Sequence, residues 1–450
     1  MEITAWWRGV LDAFRHPALW LTLALVANFL EGALRKWVPG FSDVGSGFIL
    51  AYFSKDLLFG LGVVLVATRR WQPTRGMKSA KQWGCPALGL IVFGGVLSWV
   101  SAEVNPVGAL LTLRPLLVLP LLAWCYAATQ RGSVPLLGIA ALVGLLAITN
   151  GALSLLQNSL PPDDALNKYA RDEKDVVEVS YGVRATGTFA YISGLKVASA
   201  TGVWAGMVWI SLGRNRWHLW FGALCLLGGF ACAFASISRS TLVVAFAMLG
   251  LWVLTSVRAF RLLVQGTLVI ALVAVVLLML APGMAERFSH AGEGSFDRFE
   301  SAGDSNAERA FGQWLESWYA VQTTPLGNGL GTEQIGGNII SKGVANFTNY
   351  ENQFPRIVSE LGVLGFIGFF MLVIATIWGL QVAKEGPGGT PWRLAVTATQ
   401  LFLMGQFYES LVFNHTASAS VWLLAAAVFG AEPHPAPIST PQGKDGFCRS

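Results

Sequence analysis

Charge is what this sequence has least of: Asp, Glu, Lys and Arg make up only 13% of its 450 residues, while 54% are apolar. A soluble domain carries roughly 25% charged residues. The shortage excludes a chain built around a solvated surface and gives no reason to expect a nucleic-acid partner. The formal net charge of +5 belongs instead to loops lying against anionic lipid headgroups. Cysteines build no framework either: Cys85, Cys125, Cys225 and Cys232 lie in or beside apolar stretches, and Cys448 lies in the tail. Cys225 and Cys232, two helical turns apart on one helix, cannot reach each other and read as packing residues. No DxD triplet and no Cys/His cluster points to a bound metal. No internal repeat is visible, and the opening MEITAWWRGVLDAF lacks the layout of a signal peptide.

What the chain does contain is a succession of apolar stretches, each of ~17–27 residues, long enough to cross a hydrocarbon core ~30 Å thick. Continuous runs rather than alternation exclude a β-barrel and point to helices. The expectation is an all-α polytopic integral membrane protein of about 12 transmembrane helices. These fall near 18–36, 45–67, 84–102, 106–128, 133–156, 187–212, 218–235, 240–257, 262–281, 353–382, 393–413 and 416–431. Residues 1–17 form an interfacial helix in this reading, with Trp6, Trp7, Val10, Leu11 and Phe14 on one face. The first nine spans occupy 18–281, interrupted by an outer loop near 157–186; a large loop follows at 282–352, then the last three spans at 353–431 and a proline-rich, disordered tail at 432–450. Within the large loop, SNAERAFGQWLESWYAVQ has helical spacing through Phe311, Trp314, Leu315 and Trp318 and should lie on the membrane surface.

With an inside N-terminus, every short inside loop is basic, from Arg69, Arg70 and Arg75 through Arg131, Arg214 and Arg258 to Lys384 and Arg393. That satisfies the positive-inside rule and leaves both termini in the cytoplasm. The ionisable residues inside the spans are then Glu31 and Arg35, Lys55 and Asp56, Arg114, Lys196, Arg356 and Glu360, and Glu409. All fall in the outer half or near the midplane, whereas the inner halves hold only Gln265 and Gln400. A solute crossing the bilayer needs polar groups at both depths, so the asymmetry favours a site open to the outer leaflet. Arg239, in the short turn SISRS, joins Arg114, Arg184 and Lys196 as cations available to an anion whose lipid tail sits in that leaflet. Structural readings stand beside this one. Arg35, Lys36 and Arg239 can snorkel to headgroups, Arg356 and Glu360 can pair at i, i+4, and Lys55 can compensate its neighbour Asp56.

Four motifs occur in order: RATGTFAYISG (184–194), SISRSTLVVAF (236–246), PLGNGLGTEQIGG (325–337) and ENQFPRIVSELGVLGFIG (351–368). Together they resemble the O-antigen ligase and polymerase superfamily of bacterial membrane glycosyltransferases. NFLEGALRKWVP (28–39) also looks like the first span of exopolysaccharide polymerases in that superfamily. The resemblance implies a GT-C-like enzyme of the bacterial inner membrane with its active site facing the periplasm. It implies transfer of a glycan, with inversion and without a metal or other cofactor, from a polyprenyl-diphosphate carrier to a sugar hydroxyl. Arg239 and Arg184 match family arginines, as does Arg309 in ERAFGQW. The planar fork of an arginine binds phosphate oxygens bidentately and stays charged.

In that reading Arg114, Arg184, Lys196 and Arg239 bind the donor diphosphate, and Arg239 and Arg309 assist catalysis. Arg356, Glu360, Glu31 and Arg35 shape the site. Glu351, where family ligases typically carry histidine, is the candidate base, with His290 and His415 as rivals. The departure favours a polymerase of lipid-linked repeat units over a ligase that moves finished polysaccharide to lipid A core; a lipid-linked glycan flippase is the alternative from another class. Gly327, Gly329 and Gly331 either bring backbone amides to a phosphate or shape a tight turn. The implied partners are the lipid-linked oligosaccharide donor, a glycan acceptor, membrane lipid, a chain-length regulator and a flippase.

Overall fold

The computed structural model describes residues 17–41, 46–67, 73–101, 109, 112–129, 135–168, 178–179, 182–213, 215–255, 312, 315–330, 353–409 and 415–433. The N-terminal interfacial helix, the span at 262–281, most of the 282–352 loop and the tail after 433 lie outside these residues. So do Arg309, Gly331 and Glu351.

Apolar sequence becomes helix because a buried backbone must satisfy its own polar groups. Helices α1 (Pro17–Trp37), α2 (Ser46–Ala67) and α3 (Arg75–Ser101) come first. A π-turn at Arg114–Val118 leads into α4 (Leu119–Thr129), followed by α5 (Leu136–Asn158). Two-residue strands, β1 (Glu178–Val179) and β2 (Gly182–Val183), pair antiparallel in the loop after α5. Then come α6 (Ile192–Leu212), α7 (Arg216–Ala235), α8 (Arg239–Leu254), α9 (Gln353–Lys384), α10 (Gly389–Glu409) and α11 (His415–Gly430). Helix thus covers each expected span that the structure describes, with α3 starting earlier and α6 later than the apolar pattern implies. Arg75–Val100, Leu136–Asn158, Ile192–Leu212, Arg216–Ala235 and Phe354–Lys384 are long and apolar enough to cross a membrane; Arg114–Ala128, Ser240–Leu254 and Thr416–Gly430 are shorter apolar helices.

Small residues bring these helices close. A Cβ on Gly94 would meet the Gly365 nitrogen at 2.6 Å between α3 and α9, and one on Gly202 would meet the Gly229 Cα at 2.8 Å between α6 and α7. Such contacts substitute for a hydrophobic driving force that lipid does not supply. The outer surface is apolar: Leu57, Val64, Trp99, Val100, Phe246 and Ile374 are each between 57% and 83% exposed. In water that band would be an aggregation surface; against acyl chains it is the expected one. Residues 315–323 are helical, with Leu315, Trp318 and Tyr319 exposed on a face suited to the bilayer interface.

The apolar run 353–382 reads as one straight span, but α9 breaks at Gly362 (φ 68°, ψ −175°), a conformation that glycine alone adopts readily. The glycine-rich loop satisfies the break. Val363 N donates to Pro325 O at 2.9 Å, Asn328 N to Ser359 O at 2.5 Å and Gly329 N to Ser98 Oγ at 2.9 Å. A Cβ on Gly362 would lie 2.6 Å from Pro325 O. Irregular backbone at membrane depth persists only where protein covers it, and here the loop provides the cover.

Candidate active site

Long-range hydrogen bonds gather the polar residues at one end of the bundle. Asn28 of α1 reaches Thr416 and Ser420 of α11, Ser98 of α3 reaches the Glu360 carbonyl of α9, and Lys36 of α1 reaches the loop before α6. Here the ionisable residues separate into two groups.

The first group is made of ion pairs. Glu31 of α1 accepts from Arg35 at 3.2 Å on one oxygen and from Lys55 of α2 on the other. Arg114, opening the π-turn, pairs with Asp56, its Nε donating to Oδ1 at 2.9 Å and its Nη2 lying 2.6 Å from Oδ2. The Tyr52 ring lies between, with Lys55 Nζ and Arg114 Cζ each 5.1 Å from its centroid. Lys55 and Asp56 are therefore not each other's partners, because adjacent residues on a helix point about 100° apart. Arg114 is buried, with the Asp56 carboxylate against its guanidinium. Arg35 and Lys36 are buried too, which replaces the snorkelling reading for both.

The second group surrounds the SISRS turn. Arg184 Nε donates to the Ser236 carbonyl at 3.3 Å, and Lys196 Nζ donates to Ser240 Oγ at 3.3 Å. Between them Ile237 adopts φ 48°, a left-handed conformation that costs a β-branched residue on the order of 1–3 kcal/mol. Helix α8 starts at Arg239, and its N-cap, Ser238, makes no side-chain capping bond. A helix start carries partial positive charge and N–H groups without intrahelical acceptors, which suits an anion. The short turn that carries Arg239 is thus where a helix N-terminus meets two cations from another segment. What the arginine's own side chain touches lies outside the described residues.

The loop that delivers Arg184 is rigidly held. Gln157 Oε1 accepts from Thr186 N at 3.2 Å and Gly187 N at 2.8 Å, and Asn150 Oδ1 accepts from Thr188 N at 2.8 Å. Lys36 Nζ donates to Thr186 Oγ1 and Gly187 O, both at 2.7 Å, and Ala185 N donates to Ala235 O at 3.2 Å. Sequence reasoning missed this role for Asn150, Gln157 and Lys36. The signal was available, since Asn150, Ser154 and Gln157 recur at i, i+4, i+7 as a polar stripe on an otherwise apolar helix.

Of the site-shaping candidates, Glu360 is buried and accepts from Thr112 Oγ1 at 2.7 Å, while Arg356 is half-buried one turn earlier on α9. Gly327 and Gly329, at φ 87° and 111°, form the turn that docks on the α9 break, and amides of this loop donate within the protein. Among the described residues no group of three or more His, Cys, Asp or Glu side chains could hold a metal.

The arrangement can bind an anion such as a diphosphate at the start of α8 and hold it against a preorganised loop. No curated protein matches the chain. A family described as O-Antigen ligase matches residues 221–370, a segment that includes the SISRS turn, the glycine-rich loop and the α9 break. The match covers one third of the chain, and over that segment the chain is similar to the O-antigen ligase family.

Proposed function

We propose that this protein is a membrane glycosyltransferase of the polymerase type, with about twelve spans and both termini in the cytoplasm. It joins polyprenyl-diphosphate-linked repeat units at the periplasmic face of the inner membrane. The observation that carries this reading is the convergence of Arg184 and Lys196 on the turn at which Arg239 opens α8.

In this reading the acceptor hydroxyl attacks the anomeric carbon, the bond from that carbon to the phosphate oxygen breaks, and the electron pair leaves with the lipid diphosphate. Arg184, Lys196 and Arg239 stabilise the charge that develops on the leaving group, with Arg309 assisting from the large loop. A diphosphate is stable as an anion, so no strong general acid is needed. Glu351 takes the hydroxyl proton, and Arg356 with Glu360 shapes the mouth. The large loop excludes water so that hydrolysis does not compete with transfer. A chain-length regulator and a flippase are the natural partners.

The family description favours a second reading, a ligase that moves finished polysaccharide to lipid A core. The two are separated by the size of lipid-diphosphate-linked glycans in cells lacking the protein. Single repeat units on the periplasmic face are the expected result. Long chains still on the carrier would establish the ligase, and single units confined to the cytoplasmic face would point to a flippase.

A further inference from the structure

A small cavity lies between α1, the start of α6 and the start of α11, beside both charge groups. Its volume is ≈ 40 Å³, and its lining includes Asn28, Glu31, Gly32, Tyr191, Ser193 and Thr416. Asn28 is 1% exposed and Glu31 2%. The Asn28 amide nitrogen donates to Thr416 O at 3.1 Å and Ser420 Oγ at 3.0 Å, while among the described residues its Oδ1 has no hydrogen-bond partner. A buried carbonyl left without a donor costs about 1–3 kcal/mol. The site is therefore short of one hydrogen-bond donor.

The chemistry of that donor is constrained. Both oxygens of Glu31 already face cations, Arg35 and Lys55, so a further cation is repelled. A neutral hydroxyl donates where Asn28 Oδ1 needs it and can accept in return. The volume suits a hydroxyl or hydroxymethyl arm, not a whole ring. At the mouth Tyr191 is 57% exposed, an aromatic surface of the kind that covers the apolar face of a pyranose. Ser193 in the lining is three residues before Lys196 on α6, one helical turn away. A sugar anchored here has its remaining atoms next to the cationic turn.

We infer that the Asn28–Glu31 cavity is a sugar-recognition subsite that takes a hydroxyl-bearing arm of the lipid-linked glycan. Asn28 is the specificity residue and Tyr191 the platform at its mouth. The inference rests on the glycosyltransferase reading above, and its test is arranged so that the two can fail separately.

The test uses the full chain in lipid nanodiscs with two probes: lipid-diphosphate-linked single units from cells lacking the protein, and a panel of methyl pyranosides observed by saturation-transfer NMR. Asn28→Leu is expected to raise KM for the lipid-linked unit about tenfold, one hydrogen bond's worth, with kcat within about twofold. It should also abolish saturation transfer to the pyranoside that wild type binds. Asn28→Asp, which keeps an acceptor, should restore part of the KM. Should Asn28→Leu fail to fold, Tyr191→Ala on the exposed rim carries the test, with a KM rise of several-fold. Transfer by wild type with KM unchanged in Asn28→Leu and Tyr191→Ala removes the subsite and leaves the enzyme reading intact. Asn28-dependent pyranoside binding without any transfer by wild type keeps the subsite and removes the polymerase. Neither binding nor transfer removes both.

Discussion

Glu31 and Asp56, two carboxylates, pair with three cations, Arg35, Lys55 and Arg114, whereas Arg184 and Lys196 also donate to a carbonyl and a hydroxyl of the turn that opens α8. Both groups lie at the same end of the bundle, yet the consequences differ. Extracting a cation from a buried carboxylate leaves an uncompensated charge in low dielectric, a loss of about 3–5 kcal/mol. Exchanging a neutral acceptor for a phosphate oxygen strengthens the bond, because charge-assisted hydrogen bonds are roughly twice as strong. Buried cations are therefore not equivalent evidence for a binding site. The ion pairs tie α1, α2 and the π-turn together, and the contacts at the SISRS turn tie the segment before α6 and α6 itself to the start of α8.

The sharpest way to break this contrast is Asp56→Ala, which strands Arg114. It should destabilise the protein by about 3–5 kcal/mol, read as a lower melting temperature in nanodiscs. Replacing both partners, Asp56→Leu with Arg114→Leu, should recover most of that stability and retain glycan transfer. A stable double variant without transfer would place Arg114 in the donor site.

Arg239→Ala should do the opposite, lowering transfer about 10²–10³-fold while the melting temperature holds. Arg239→Lys should recover only part of the rate, since a point charge does not reproduce the planar fork. Single-turnover rates with the lipid-linked unit measure both. Lys196→Ala follows, with transfer about 10-fold to 100-fold lower, the equivalent of one charge-assisted hydrogen bond. An unchanged rate would mean that Lys196 only steadies Ser240.

The smallest expected effect tests the loop between the groups. Gly187 sits at φ +57°, and a Cβ there would lie 2.5 Å from Asn150 Oδ1. Gly187→Ala should cost about 1–3 kcal/mol. It should also slow transfer modestly by displacing Arg184, detectable as faster amide exchange across 184–188 and a lower kcat.

Much of the architecture was legible beforehand because hydropathy is a local sum over about 20 residues. Apolar runs at 18–36, 45–67 and 133–156 correspond to α1, α2 and α5 within a few residues. The α9 break was not legible, since GVLGFIG, the stretch that holds Gly362, is apolar throughout. Its stability comes from Pro325, Asn328 and Ser98, which pattern reading cannot bring together. Arg184, Lys196 and Arg239 stood together in the sequence as outer-layer cations, and the structure brings Arg184 and Lys196 to the SISRS turn. The partners of Lys55 and Asp56 were misread because sequence neighbours were paired, although helix geometry alone separates them. The glycine-rich loop retained two readings until its hydrogen bonds gave the turn.

By itself, then, the sequence determined the class of protein, the course of most helices and the end at which buried charge collects, all properties additive along the chain. Only the tertiary structure decided which side chains each charge meets. Those pairings join residues 24, 58 and 52 positions apart, Lys55 to Glu31, Arg114 to Asp56 and Arg184 to Ser236. Coulomb energy depends on separation in space and on the surrounding dielectric, and chain order specifies neither.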